Sequence, residues 1–324
     1  MISLYFHTIR FLKFKQIYYR LLYYLTKPNI DHHVNLNLRL TKNLFLLPVK
    51  KKSSLSKNNI FTFFNISKSL SKIGWNGHKD CVSYLWRYNQ HYFDDLNSTK
   101  AFEHRISHNQ LLEIWIDENK VGEGVGWEPY PTSLRIVNWI KWSYAGNRLS
   151  KSCRKSLFLQ ARWLNTRIEW HILGNHLFVN AKALVFSGLF FSSFESDIWL
   201  KKGLKIINHE LKEQVLADGG NFERSPMYHA MFLEDVLDLI NISKVYPKII
   251  KELEVNEWKK ISVEMLNWLA TMTHPDGGIS FFNDAALEIA PNLNDLKKYA
   301  SRLGVYSSFQ NFNKITHLKD SGYI

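Results

Sequence analysis

Two short polar segments of this chain carry side chains that can bind an anion and move a proton. Residues 173–178 combine an amide with an imidazole, and residues 223–229 combine a guanidinium, a phenol and an imidazole. Asn175 and Tyr228 lie 53 residues apart, a separation that suits one helical hairpin with its connections. The spacing therefore predicts that the two segments meet at one end of neighbouring helices. Together these groups are suited to removing a proton from the carbon beside a carboxylate.

The second segment has the pattern of a helix start. Ser225 is a preferred N-cap residue, and Pro226 fits the first helical position, where its missing N–H costs no hydrogen bond. Tyr228 then falls in the first turn, close to the positive end of the helix dipole. With Arg224 before the cap and His229 after the phenol, this position predicts a lowered phenol pKa and a tyrosine that acts as general acid or base. The alternative is an ordinary capped helix with Tyr228 packed on its surface.

The first segment offers groups that can neutralise a carboxylate. Asn175 and His176 can donate hydrogen bonds to a substrate carboxylate, which acidifies the neighbouring C–H bond. The alternative is that Asn175 caps the helix that follows. His171 and His176 also suggest a metal site, but the chain has no His-Glu-x-x-His motif and no pair of cysteines at ligand spacing. We therefore expect no metal and no other cofactor.

A third group of residues is suited to holding a sugar. Arg135, Asn138 and Trp139 stand at positions i, i+3 and i+4, which predicts that they share one face of a helix. With Trp127 shortly before them, they offer an ion pair, a hydrogen bond and stacking to an acidic sugar. The alternative is a Trp139 that packs between helices and an Arg135 on the surface.

The composition favours a folded chain with an acidic partner. Of the 324 residues, 45% are hydrophobic, which is enough for a sizeable buried core. Lys and Arg number 42 against 29 Asp and Glu, and the resulting net charge of +13 attracts acidic polysaccharide, nucleic acid or an anionic membrane. The chain carries no nucleic-acid-binding motif, so we expect no nucleic acid partner. Cys81 and Cys153 are too few for a disulfide framework.

The N-terminal residues are basic and aromatic. Residues 1–30 have the pattern of an amphipathic helix that ends at Pro28. Charged side chains interrupt every apolar stretch, so we expect no membrane span. The segment also lacks a clean signal peptide, which is typical of a cytoplasmic protein. Two roles are open for residues 9–25, namely packing on the body of the protein and a weak contact with a membrane surface.

Helical periodicity dominates from residue 101 onwards. It predicts helices in residues 101–119, 131–144, 150–170, 175–191, 198–216, 226–242 and 249–272. Residues 60–66 are suited to a short strand. Residues 274–284 are suited to a turn that enters a short apolar strand and whose polar side chains are structural. We therefore predict an all-α fold of antiparallel helical hairpins, arranged as a bundle, a solenoid or an α/α toroid.

Four motifs occur in order within residues 80–305. They are Trp-Glu-Pro-Tyr-Pro at 127–131 followed by 135–139, Gly-Asn-His at 174–176 with Asn-Ala-Lys-Ala-Leu at 180–184, Asp-Gly-Gly at 218–220 continuing to Tyr-His at 228–229, and Phe-Phe-Asn-Asp-Ala-Ala at 281–286. As a set, these motifs resemble the N-terminal half of heparinase II/III-like proteins.

The resemblance implies a polysaccharide lyase scaffold, in which an incomplete α/α toroid is followed by a C-terminal β-sandwich. On this basis we expect a basic N-terminal arm in residues 1–75, the toroid in residues 76–305 and a truncated start of the C-terminal region in residues 306–324. We expect that the 324 residues do not include the β-sandwich. The family's further catalytic histidine belongs to that domain.

The resemblance also implies an activity and its residues. The family cleaves uronic-acid polysaccharides by β-elimination. Its catalytic tyrosine corresponds to Tyr228, and its carboxylate-neutralising residue corresponds to Asn175 or His176. Arg224 matches a cation of the substrate cleft by position, and His229 is a second candidate for substrate binding. Secreted members carry signal peptides and act in the periplasm, so the compartment of this chain is left open.

Three hypotheses about function follow. The first is a lyase, or the N-terminal half of one, for a glycosaminoglycan, alginate or a related acidic polysaccharide. The second is a toroid that binds acidic carbohydrate in surface polysaccharide metabolism but is catalytically incomplete, because the β-sandwich histidine is missing. The third is a basic helical protein for nucleic acid or membrane, which would require a steep salt dependence of binding.

Overall fold

The structure, a computed structural model, describes residues 10–77, 81–307 and 315–324, most of which are helical. Residues 1–9 of the predicted N-terminal helix lie outside the described residues. The same holds for residue 80 in the family-like region and for residues 308–314 of the predicted C-terminal segment.

The helices predicted from the periodicity are present, with ends shifted by a few residues. In chain order, the α-helices of the described residues are α1 (Phe14–Leu25), α2 (Leu70–Ile73), α3 (Tyr84–Tyr92), α4 (Arg105–Glu118), α5 (Pro129–Tyr144), α6 (Lys151–Thr166), α7 (Gly174–Phe190), α8 (Phe194–Gln214), α9 (Pro226–Val245), α10 (Glu252–Thr271) and α11 (Leu293–Leu303). The sequence prediction missed α2, α3 and α11.

The described strands form one small antiparallel sheet, β1 (Leu55–Ser56), β2 (Ile60–Phe63) and β3 (Ile66–Ser69). The prediction of a single strand over residues 60–66 is wrong, because the chain reverses at Phe64 and Asn65. Both residues have positive φ, at 53° and 61°, as a two-residue hairpin turn of type I′ requires. Asparagine tolerates this conformation, and it is the only sequence signal for the turn.

The chain divides into two compact units. The first contains the described residues of Met1–Leu38, Lys52–Ser143 and Asn147–Ile206, and the second contains those of Arg39–Lys51, Tyr144–Gly146 and Ile207–Ile324. The predicted domain boundaries at residues 75 and 305 came from the family-like motifs. The two units are defined by compactness, so those boundaries stay a prediction.

In the first unit, α7 and the N-terminal half of α8 pack so closely that glycine is required on both. A Cβ atom on Gly188 of α7 would lie 2.7 Å from the backbone nitrogen of Leu200. A Cβ atom on Gly203 of α8 would lie 2.8 Å from the carbonyl oxygen of Ala181. This contact fixes α7, whose first turn carries the Gly-Asn-His motif.

The N-terminal helix α1 packs on residues 163–171 of the same unit. The Arg167 guanidinium donates to the carbonyl oxygens of Tyr23 and Thr26, both at 2.8 Å, and lies 3.5 Å from the centre of the Tyr23 ring. The apolar residues Phe14 and Leu25 are exposed, and contact with a membrane surface stays a prediction. Within the described ranges, no helix has the length and apolar character needed to span a membrane.

In the second unit, a buried polar network ties the segment at residues 39–51 to α9 and α11. The side chain of Asn241 exchanges two hydrogen bonds with the backbone of Leu46, at 2.7 and 2.9 Å. Asn241 also donates to the hydroxyl of Tyr299, which in turn donates to Asp238 at 2.8 Å. The network satisfies polar groups that would be costly to bury alone, and it fixes the frame of α9.

Candidate functional site

The Gly-Asn-His segment opens α7 without a side-chain cap. The helix begins at Gly174, and the N-cap position is Leu173, which has a positive φ of 69°. The alternative that Asn175 caps this helix is therefore wrong. Its amide instead donates to the hydroxyl of Tyr130, at 3.4 Å. Asn175 is half-buried, so an amide that capping would have occupied is available to a ligand.

His176 is held between a ring and a carboxylate. Its imidazole lies 4.4 Å from the Tyr130 ring, centre to centre, and its Nδ1 lies 3.1 Å from Oε1 of Glu169. The other oxygen of Glu169 accepts from the Asn180 amide at 3.1 Å. Glu169 is buried, so its charge faces His176 with little screening by water. We call Tyr130, Glu169, Asn175 and His176 the Tyr130 cluster.

His171 does not join His176 in a ligand set. The His171 ring contacts the Tyr23 ring in a tilted arrangement, at 4.7 Å between ring centres, and burial lowers the pKa of His171. The structure brings one group of potential metal ligands together in the described part of the chain. Neither His171 nor His176 belongs to that group.

Two tyrosines and a glutamate that the sequence prediction missed belong to the same unit. The hydroxyls of Tyr84 and Tyr88 both donate to the carboxylate of Glu128. Burial and the Glu128 carboxylate raise the pKa of Tyr84 to about 12, and the same causes raise the pKa of Tyr88. The available signal was the spacing of Tyr84, Tyr88 and Tyr92, which share one face of α3. Tyr92 continues this row to Tyr130, at 6.0 Å between ring centres.

Arg135 is fully buried, which corrects its assignment as a substrate ligand. Its Nε donates to Gln160 at 2.9 Å, and its terminal nitrogens donate to the carbonyl of His91 and the hydroxyl of Thr132, both at 3.3 Å. The guanidinium also lies 3.9 Å from the centre of the Trp115 ring. Arg135 therefore holds the helices of the first unit together and offers no surface to a sugar.

The same correction applies to the other members of the third group. Asn138, Trp139 and Trp127 are all buried. The Asn138 amide donates to the carbonyl of Tyr92 at 2.9 Å and to Asp94 at 2.8 Å. The open alternative for Trp139, packing between helices, is the arrangement found. Asn138 and Trp139 lie on the helix face that the sequence analysis assigned to a sugar, and Trp127 lies in the loop before that helix. All three side chains are buried in the core.

The second polar segment starts α9 as predicted. Ser225 accepts from the backbone N–H of Tyr228 at 3.3 Å, and Pro226 occupies the first helical position. The Ser225 hydroxyl also donates to the carbonyl oxygen of Asp284 at 2.8 Å. This hydroxyl therefore joins the loop at residues 281–286 to the start of the helix and leaves the Tyr228 side chain free of the capping task.

The phenol of Tyr228 does not have the lowered pKa that we predicted. Burial and the charges of Asp284 and Glu223 raise its pKa above the ordinary value. The hydroxyl lies 3.4 Å from Oδ2 of Asp284, to which it donates. The prediction failed because it counted the helix dipole and the basic neighbours but not a carboxylate from a distant loop. At neutral pH Tyr228 is therefore a proton donor.

The backbone carbonyl of Arg224 is hydrogen-bonded to the loop that follows α10. The carbonyl oxygen of Arg224 accepts from the Asn283 amide and from the Tyr323 hydroxyl, each at 2.7 Å. The residue has a positive φ of 57°, and its side chain is exposed. An exposed guanidinium beside the start of α9 is compatible with its assignment as a cation for substrate.

His229 is completely buried, so its assignment as a substrate ligand is corrected. Its Nδ1 accepts from the backbone N–H of Asn221 at 3.1 Å, and its Nε2 then donates to the carbonyl of Met265 at 2.9 Å. The ring stacks on Trp268 at 4.4 Å. Burial lowers the pKa of His229 to about 4, so the neutral ring holds the turn that leads into α9.

Residues 274–284 differ from the prediction in two ways. The chain forms an isolated bridge between Thr273 and Ile279 and no regular strand, and Phe281 is exposed. Asn283 is structural, as expected, but Asp284 contacts the Tyr228 phenol and sets its charge environment. The two polar segments fall in different units, so the expectation that they meet stays a prediction.

Solved structures share the helical fold of this chain. A heparinase III matches 91% of this chain and 52% of its own length, with a TM-score of 0.53 and 17% identity. The heparan sulfate lyase HepC from Pedobacter heparinus matches 92% of this chain and 51% of its own length, with a TM-score of 0.50 and 18% identity. This likeness confirms the predicted fold class, an all-α incomplete toroid.

The sequence comparisons identify the family. The family model described as heparinase II/III N-terminus matches residues 151–313, half of the chain, and the chain belongs to this family. A heparin-sulfate lyase from Bacteroides stercoris is 33% identical over 115 residues, which are 35% of this chain and 17% of that protein. One from Pedobacter heparinus is 30% identical over 133 residues, 39% and 19% of the two chains. The chain is therefore related to polysaccharide lyases, and it spans about half the length of the matched structures.

We expect the burial of His229 to make stability depend on pH. Its folded pKa of about 4 lies below the ordinary value of 6.5, so protonation opposes folding. The contribution of neutral His229 to the free energy of unfolding is complete above the ordinary pKa of 6.5. It is lost as the pH falls towards the folded pKa of about 4. Between about pH 7 and about pH 5 the loss from His229 should be about 2 kcal/mol. The free energy of unfolding in urea should be measured at both pH values. Between them, the decrease for the variant His229→Gln should be smaller than the decrease for the wild type by about 2 kcal/mol. An equal loss in both proteins would contradict this account.

We expect the variant Asp284→Asn to lower the pKa of Tyr228, because it removes a negative charge beside the phenolate. Labelling tyrosine rings with ¹³C and following their chemical shifts with pH measures this directly, and the variant Tyr228→Phe assigns the resonance. Glu257→Gln, which removes an exposed carboxylate on α10, serves as the matched control and should leave the pKa unchanged. An unchanged or higher pKa in Asp284→Asn would show that Asp284 does not control the phenol.

Proposed function

We propose that this chain carries the helical part of a lyase that cleaves uronic-acid polysaccharide by β-elimination. The observation that carries the proposal is the start of α9. There Ser225 takes the capping role and leaves Tyr228 half-buried, protonated and paired with Asp284. Membership of the heparinase II/III family supports the proposal, because the matched residues 151–313 include Tyr228. The resemblance of the motifs implies that Tyr228 corresponds to the family's catalytic tyrosine.

In the proposed reaction the uronate carboxylate binds to the Tyr130 cluster. The Asn175 amide donates to it in any protonation state, whereas His176 can donate only from a ring nitrogen that carries a proton. Because Glu169 accepts from Nδ1 of His176, the neutral ring has a bare Nε2, and the imidazolium is the form that binds an anion. Asn175 is therefore our first candidate for neutralising the carboxylate, and His176 is the second.

The elimination itself moves one proton from C5 and breaks one C–O bond at C4. The electron pair of the C5–H bond forms the C4–C5 double bond, and the leaving oxygen takes its pair from the C4–O bond and gains a proton. Because its raised pKa keeps the phenol protonated before the reaction, Tyr228 is suited to protonating this oxygen and not to taking the C5 proton. A different base then takes the C5 proton. The family resemblance offers the β-sandwich histidine for that role.

For the substrate we propose a sulfated glycosaminoglycan of the heparan sulfate class. The relatives are named heparin-sulfate lyases, and the net charge of +13 favours a densely anionic chain. Alginate, hyaluronan and chondroitin carry the same uronate carboxylate with less or no sulfate. Comparing activity on these glycans with activity on heparan sulfate therefore separates recognition of the carboxylate from recognition of sulfate.

We expect the chain, when assayed together with the family's β-sandwich domain that supplies the base, to convert heparan sulfate into an unsaturated uronate, which is followed by its ultraviolet absorbance. Tyr228→Phe should lower the rate on the order of 10²–10⁴-fold, because it removes the proton donor. Asn175→Ala should lower it on the order of 10²–10³-fold, because it removes a donor to the developing negative charge. Rates on heparan sulfate, alginate, hyaluronan and chondroitin should be compared for all variants.

Matched variants at exposed positions guard against general damage. Tyr306→Phe and Asn256→Ala remove the same groups elsewhere and should keep the wild-type rate. If the folded chain binds the glycans but gives no product even with the β-sandwich domain present, the second hypothesis, a carbohydrate-binding toroid without catalysis, replaces the lyase. If it neither cleaves nor binds any of the four glycans, with folding verified by circular dichroism, the proposal is wrong.

A further inference from the structure

Three side chains outside the sites described above converge in the first unit. The carboxylate oxygen Oδ2 of Asp95 lies 3.2 Å from Nδ1 of His104 and 2.8 Å from Nε2 of His108. One ligand atom from each of the three residues lies within 4.8 Å of the other two. An ion that draws the three atoms to its bonding distance needs only small side-chain movements.

The main chain fixes these residues relative to one another. His104 is the residue before α4, and His108 lies in its first turn, so the two imidazoles stand four positions apart on one helix face. Two histidines at this spacing are the ligand pair of the helical zinc motif His-x-x-x-His. Asp95 comes from the 3₁₀ turn Asp94–Asn97, which brings an anion to the pair.

The carboxylate is oriented by a second layer of donors. Its other oxygen, Oδ1, accepts from the Ser53 hydroxyl at 2.8 Å and from the backbone N–H groups of Ser54 and Leu55 at 2.8 and 3.0 Å. Donors of this kind hold a ligating carboxylate in position in metal sites. They leave Oδ2 as the oxygen that faces both histidines.

The position of the ring proton on His108 does not prevent metal binding. Nδ1 of His108 is buried and finds no hydrogen-bond partner in the described part of the chain, so the ring proton that Nε2 donates to Asp95 can shift to Nδ1 when an ion takes Nε2. His108 and Asp95 are almost fully buried, with side-chain exposures of 1% and 7%, whereas His104 is 24% exposed. The cluster therefore has a dry interior and one side that is open to solvent.

We propose that Asp95, His104 and His108 bind Zn²⁺. Two imidazole nitrogens and one carboxylate oxygen are a ligand set typical of zinc, and they leave the fourth tetrahedral position to water. Mg²⁺ and Ca²⁺ prefer ligand sets made entirely of oxygen. The bound ion ties together the segment before β1, the Asp94–Asn97 turn and α4. The expectation of no metal site rested on His171 and His176 and did not consider these residues.

The test is a titration of the metal-free chain, made without a polyhistidine tag, with Zn²⁺ against a chromophoric chelator. We expect one zinc ion per chain and a higher melting temperature in its presence. His104→Ala removes the exposed ligand and keeps the contact between Asp95 and His108, so the fold should survive. It should weaken zinc binding by at least about a hundredfold, more than the loss of an outer-layer partner costs.

Two further variants make the result specific. His104→Cys restores a zinc ligand, so it should regain binding and should show a thiolate-to-metal absorption band with Co²⁺. The double variant His32→Ala, His33→Ala removes an adjacent pair of exposed histidines and should bind zinc like the wild type. Absence of stoichiometric zinc binding, or equal binding by His104→Ala, would overturn the proposal and leave a hydrogen-bonded cluster in which both imidazoles donate to Asp95.

Discussion

The N–H groups of a helix start need partners, and the way each start supplies them decides which side chains are free for chemistry. At α9, the Ser225 hydroxyl accepts from the backbone of Tyr228, so the phenol two residues beyond Pro226 is released towards Asp284. At α7, no side chain caps the helix. The Asn175 amide, a group well suited to capping, is instead directed to Tyr130. The same local rule thus produces one capped start with a phenol paired to Asp284 and one uncapped start with an amide paired to Tyr130.

The buried titratable groups set which form of each side chain is present. His229 is kept neutral by burial, and its two backbone hydrogen bonds support the turn that leads to Tyr228. Tyr228 is kept protonated by burial and by Asp284. A protonated phenol is ready to donate, and a neutral buried imidazole is not available as a base. The second unit therefore favours an acid role for Tyr228, and the chemistry that we propose takes its base from elsewhere.

Sequence patterns predicted elements that depend on local rules and failed where distant segments decide the outcome. The helices and the Ser225 cap follow from periodicity and from a preferred pair of residues, and the structure confirms them. Arg135 was assigned to a substrate because its helix face carries polar groups, but Trp115 and Gln160 from other helices bury it. Asp284 reached the site from a loop 56 residues away, which no spacing rule could show. The hairpin at Phe64 was missed because only Asn65 marks the turn.

The charges of the site constrain how the proposed reaction proceeds. A bound uronate adds a carboxylate, and Asp284 and Glu223 already raise the pKa of Tyr228. Forming a phenolate among these anions would cost more with substrate than without it, because like charges repel strongly at low dielectric. Proton donation by Tyr228 delays this cost until the C–O bond breaks, because the phenol starts neutral and becomes a phenolate only as its proton moves to the leaving oxygen. An exposed cation such as Arg224 would then stabilise the phenolate that remains, and a proton must return to it before the next cycle.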